Sequence, residues 1–245
     1  MILKDEVVMS IAGRTVKFIS LSLKAFTRFD WTICLGSIAV LVVTFIISGG
    51  GNVMTLITST AGIWCLIFIA KGNVLGQFMA ILFAFFYGYI SWKYHYYGEM
   101  ITYLCMSAPA ATVAAVSWLK HPYSETEVKI ENVKLSSWVA LYMVTMAVTV
   151  AFYFILEWLD TPNLAVSTMS VANSFMAAAL MYLRSRFYAI AYMCNDLVLV
   201  VLWLMAARTD ISYLPMAVNF AIFFINDLYG YVSWRRMSNE QKTKH

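Results

Sequence analysis

Charge is what this sequence has least of. Of 245 residues only 12% are Asp, Glu, Lys or Arg, about half the share found in a soluble domain, and that scarcity argues against an ordinary water-soluble globule. Glycine is sparse too, with 11 residues and no Gly-x4-Gly-Lys-Ser/Thr phosphate-binding loop, so nothing here couples ATP hydrolysis. The three histidines, His95, His121 and His245, lie in connections or the tail. An intramembrane histidine metal cluster and a Ser-His-Asp arrangement are thereby excluded, and neither a cofactor nor an enzymatic activity is expected. Cys34, Cys65, Cys105 and Cys194 fall in four different apolar runs without a CxxC pair; they read as small buried hydrophobes. The N-terminus does not read as a secretory signal peptide, since Asp5 and Glu6 occupy the place where positive charge is expected.

What remains is apolar. The chain is 62% hydrophobic with a mean hydropathy of +0.73, arranged in runs long enough to cross a bilayer as helices. The spacing predicts an all-α polytopic membrane protein of about eight spans: 31–48, 52–70, 74–92, 98–119, 136–157, 163–183, 187–207 and 212–234. Orientation follows from the basic residues. With the N-terminus inside, the inner segments hold all of the seventeen Lys and Arg except Lys93 and Arg208, which gives cytoplasmic N- and C-termini. The net charge of +4 therefore marks topology and needs no nucleic acid. Residues 1–30 carry Arg14, Lys17, Lys24 and Arg28 on one helical stripe and Ile11, Phe18, Ile19 and Phe26 around the other side. This is the pattern of a helix lying on the inner membrane surface.

Two pairs of segments suggest duplication. "ITYLCM…VSWLK" (101–106 and 116–120) matches "ISYLPM…VSWRR" (211–216 and 232–236), with six more residues between the parts of the second copy. A competing match sets "YGYISWK" (87–93) against "YGYVSWR" (229–235). Repeats are a common way for transporters to build two halves around a central site.

Ionisable groups inside a span normally face a bundle interior or a wet cavity. Of the thirteen acidic residues, Asp196 and Asp227 lie well inside spans, each directly after an asparagine, Asn195 and Asn226. Counting from the flanking arginines at about 1.5 Å per residue places Asp196, Asp227 and Asn173 roughly 15, 12 and 16 Å deep. Three helices thus bring polar groups to one level. Tyr188, Tyr192, Asn195 and Trp203 share a helical face with Asp196 at its edge, and Asn219, Asn226, Tyr229 and Ser233 share another. Aromatic faces with a few fixed amides suit a flat, polar, uncharged or cationic ring compound. Interhelical hydrogen bonding is the alternative use for the same residues. Trp92, Trp118 and Trp234 read as interface anchors at span ends; Trp64 lies deeper and joins the candidates for core or lining.

In order along the chain, "HYYGEMITYL…AP…VSWLKH" (95–121), "STMSVANSFMAAALMYLR" (167–184), "NDLVLVVLW" (195–203) and "INDLYGYVSW" (225–234), with Thr60, Ala61, Gly62 and Cys65 ahead of them, resemble the PnuC family of bacterial vitamin transporters over roughly residues 55–235. The resemblance implies a SWEET-like fold: an extra N-terminal span (31–48), a first three-helix bundle (52–119), a connecting helix (136–157) and a second three-helix bundle (163–236). It implies facilitated diffusion of nicotinamide riboside across the inner membrane, trapping by a cytoplasmic kinase, and a homotrimer. Asn195, Asn226 and Asn173 would hydrogen-bond the substrate and Tyr188, Tyr192 and Trp203 would stack on it, with Asp196 as support; Asp196 and Asp227 could also pair a cation, accept ribose hydroxyls or cap a neighbouring helix. Many family members carry two tryptophans ahead of the asparagine matching Asn195; this chain has Tyr188 and Ala191 there. Thiamine and riboflavin, carried by relatives of the family, remain alternatives at this point, as do a receptor and a channel subunit.

Overall fold

The computed structural model describes residues 2–47 and 53–243, the side chains of 2–12 and of Ser212 excepted. Nine helices make up nearly all of this: α1 (Ile2–Lys24), α2 (Arg28–Ile47), α3 (Val53–Ala70), α4 (Leu75–Lys93), α5 (Tyr97–Lys120), α6 (Leu135–Trp158), α7 (Leu164–Tyr182), α8 (Tyr188–Ala207) and α9 (Leu214–Thr243). The expected limits at 48 and 52, and the side chain of Ile11, lie outside the described residues. Among the described residues seven helices, α2 to α8, are long and apolar enough to cross a membrane. The eighth expected span is helical as α9, but Asn219, Asn226 and Asp227 keep it out of that set.

Four helices stop in the same way. After α3, α4, α6 and α7 one residue turns left-handed: Gly72, His95, Asp160 and Arg184. The following amide then bonds back to the last turn, as in Asn73 N–H to Phe68 O (2.9 Å) and Ser185 N–H to Leu180 O (2.9 Å). Orphan carbonyls at the helix ends are satisfied by this motif. Only Gly72 enters it without a Cβ penalty.

Helix α5 departs from regular form at Thr102–Ser107, which is π-helical, with Ala108 N–H bonding Tyr103 O. The cause lies two residues on. Pro109 has no N–H and its ring crowds the carbonyl one turn back, so the chain widens a turn instead of breaking.

Within the molecule α3 packs on α4 and α4 on α5; α7 packs on α8 and α8 on α9. The two sets meet where α3 touches α9 and α5 touches α7, while α2 lies against α3 and α9. At one end the sets are joined reciprocally. Trp118 of α5 donates to Met181 O at the end of α7 (3.0 Å), and Trp234 of α9 donates to Ile69 O at the end of α3 (2.7 Å). The two indoles lie 5.5 Å apart, and both are buried. Their place at span ends predicts interface anchors, but both are buried instead; the hydrogen-bonded indole N–H lets each be enclosed. Trp92 is exposed.

The N-terminal helices are fastened at this same end. Asp30 is fully buried and accepts from Thr27 N–H (2.6 Å), Thr27 Oγ1 (2.8 Å), Lys71 Nζ (3.3 Å) and the Tyr229 hydroxyl. Asn73 donates to Ser22 Oγ of α1 (2.8 Å). Polar bonds therefore join α1 and α2 to the core, beside the apolar contact of Phe18. The connection between α5 and α6 folds over this end too: Val128 N–H bonds Gly72 O (2.9 Å), and Gln241 of α9 bridges Ile130 N–H and Val128 O.

Candidate functional site

A cavity opens between α3, α4, α5, α7, α8 and α9. Its apolar wall comes from Gly62, Cys65, Phe83, Ala114, Ala178, Phe220 and Phe223, and its polar groups are Gln77, Tyr103, Ser107, Ser174, Tyr192, Asn195, Asp196 and Asp227. Gly62 is there by necessity, since a Cβ would overlap the Phe223 ring. Small residues on α5 and α7 (Ala110, Ala111, Ala114, Ala178) keep the space open.

The Asp196 and Asp227 carboxyl groups meet across the α8–α9 contact, and both are buried. Three atoms in this lining lack a protein partner: Gln77 Nε2, Asn195 Oδ1 and Asp196 Oδ2. Buried polar atoms are seldom left unpaired. One donor and two acceptors aimed into a cavity with aromatic walls form a preset recognition pattern for a flat ring with polar substituents. Among the described lining residues there is no Lys or Arg.

Of the residues singled out from sequence, Tyr192, Asn195, Asp196 and Asp227 line the cavity. The others lie off the lining. Asn173 is half-buried beside Ser174, which takes the lining position. Tyr188 packs edge-on against Trp234 at 4.7 Å. Trp203 donates to Tyr87 Oη (3.1 Å) toward the opposite end. Trp64 joins Phe26, Trp31 and Phe68. Asn226 donates to Ser37 Oγ (3.1 Å) and Ile222 O (2.9 Å); Asn219 is buried with both amide atoms unpartnered. Gln77, Tyr103, Ser107 and the phenylalanines are additions. Gln77 carried a readable signal, a lone amide within an apolar run. Asp196 and Asp227 are also not alone as buried acids: Asp30 and Glu99 are 0% and 1% exposed, because partners from other helices enclose groups that sequence places near span ends.

The fold and this cavity define a polytopic helical membrane protein with a central cavity among six of its helices. The nicotinamide mononucleotide transporter family matches residues 52–236, and the chain belongs to that family. Two relatives named nicotinamide riboside transporter PnuC are similar to it. The one from Neisseria mucosa is 27% identical over 74% of this chain and 71% of its own length. The one from Haemophilus influenzae is 24% identical over 75% of this chain and 80% of its own. A crystal structure of the vitamin B3 transporter PnuC has the same fold, with a TM-score of 0.77 and 23% identity over 89% of this chain and 94% of that one.

Proposed function

We propose that this protein carries nicotinamide riboside across the bacterial inner membrane by facilitated diffusion. One observation carries the reading: the cavity is lined by two carboxyl groups and aromatic rings, and by no basic side chain. A pyridinium ring is cationic and flat, so it suits that lining on both counts. Its carboxamide offers an acceptor for Gln77 Nε2 and a donor for Asn195 Oδ1, and the ribose hydroxyls suit Asp196 Oδ2. The nucleotide differs by a phosphate of about −1.5 to −2 charge, for which the described lining offers no Lys or Arg.

The finer architecture belongs to this reading. Helix α9 is the eighth span, its polar residues facing the cavity and α2 rather than lipid. Helices α3–α5 and α7–α9 are the two bundles, α6 connects them and α2 is the added span. The reciprocal tryptophans support the duplication, because Trp118 and Trp234 are matching positions of the repeat. The basic end, with Lys71, Lys120 and Arg184, is cytoplasmic together with both termini. The homotrimer and trapping by a cytoplasmic kinase enter from the family resemblance.

Binding of nicotinamide riboside, its mononucleotide, thiamine and riboflavin to the detergent-solubilised protein, read by tryptophan quenching, tests the proposal. The riboside should bind at roughly micromolar Kd and the mononucleotide far more weakly. Tighter binding of the mononucleotide overturns the charge argument, and binding of none of the four overturns the vitamin reading.

A further inference from the structure

Glu99 is a buried acid outside the central cavity. It lies in the first turn of α5, is 1% exposed, and its Oε2 has no hydrogen-bond partner. Buried carboxyl groups are ordinarily paired or fully hydrogen-bonded, so the free oxygen calls for a partner. Three tyrosines lie near it, beside the Leu156 and Thr161 side chains that pack on the adjacent Gly98. The phenols of Tyr87, Tyr96 and Tyr103 are within electrostatic reach of the carboxyl. The rings of Tyr87 and Tyr103 lie 4.2 Å apart, and Trp203 sits 4.9 Å from Tyr96. An acid with aromatic rings near it is a composition that recognises an organic cation.

Tyr103, with Phe83 and Phe220, stands between this cluster and the central cavity. It lines the cavity, and its hydroxyl is within electrostatic reach of Glu99 and of Asp196. It also stands in the π-helical turn set by Pro109. Such turns occur mainly where a helix serves a function, and here the widened turn carries the dividing side chain.

We propose that Glu99 and the rings of Tyr87, Tyr96, Tyr103 and Trp203 form a second binding site, which takes an aromatic monocation between the outer face and the central cavity, with Tyr103 as the gate. The inference rests on the reading of the chain as a carrier of a cationic riboside. Glu99 adds an electrostatic step to a path that would otherwise cross a purely aromatic barrier. Its selectivity is for charge, while the central amides select for shape.

Uptake into proteoliposomes tests this with nicotinamide riboside and its uncharged 1,4-dihydro form. Glu99→Gln should raise the KM for the cation about tenfold and leave that for the dihydro form within about twofold; Glu99→Asp should restore most of the loss. Equal effects on both substrates, or none on either, overturn the proposal. Should the amide variant fail to fold, Trp203→Phe decides instead: the weaker ring face should raise the KM for the cation more than that for the dihydro form, and an equal change in both overturns the second site. Wild-type protein that takes up neither riboside sinks the transport reading beneath it instead.

Discussion

The two ends of the molecule treat the repeat differently. At the basic end Trp118 and Trp234 hold matching places, and each bonds a carbonyl at the end of the other set's first helix. At the opposite end the matching residues are Tyr103 and Tyr213, and they have parted. Tyr103 lines the cavity from a π-helical turn; Tyr213 sits in a 3-10 turn against Tyr94 and Trp203. The six additional residues between the two motifs in the second copy explain the split. At about 1.5 Å each they carry Tyr213 roughly 9 Å farther from its tryptophan. Symmetry survives where the halves must close on each other, and is lost where one ligand, itself asymmetric, has to be met.

That contrast can be broken by measurement. Asn195→Leu, on the asymmetric cavity, should lower riboside affinity by at least about a hundredfold, because an unpaired polar group on the ligand is left behind. The variant should remain folded and extractable; wild-type affinity would return Asn195 to a role in helix packing. Trp118→Phe and Trp234→Phe should each destabilise the protein by about 1–3 kcal/mol, the cost of a buried carbonyl left without its donor. Chemical unfolding in detergent measures both, and unequal losses would show that the basic end is less symmetric than its bonds. Tyr213→Phe should be smallest, within about 0.5 kcal/mol and without effect on uptake. A large transport defect there would erase the distinction from Tyr103.

The sequence made the spans legible because each needs only length and apolarity. The order of elements followed, and so did the meeting of Asp196 and Asp227 at one cavity. Faces proved less informative than levels. Tyr188 and Trp203 share a stripe with Asn195, yet fifteen residues of helix span roughly 22 Å, so the ends of the stripe pass beyond the cavity into its two closures. Asn226 and Asn219 were read as lining, but Asn226 bonds Ser37 of α2, a helix outside the repeated core. Tyr103 and Glu99 could not be ranked from sequence. Their significance depends on a turn widened by a proline and on rings brought from α4 and α8, which no local pattern records.

The exchanged tryptophan bonds have a consequence for how the molecule moves. Each donor and its acceptor belong to opposite sets of helices, so any separation of the two sets at this end must give up both bonds and leave two carbonyls to be satisfied elsewhere. They resemble two pins of one plug.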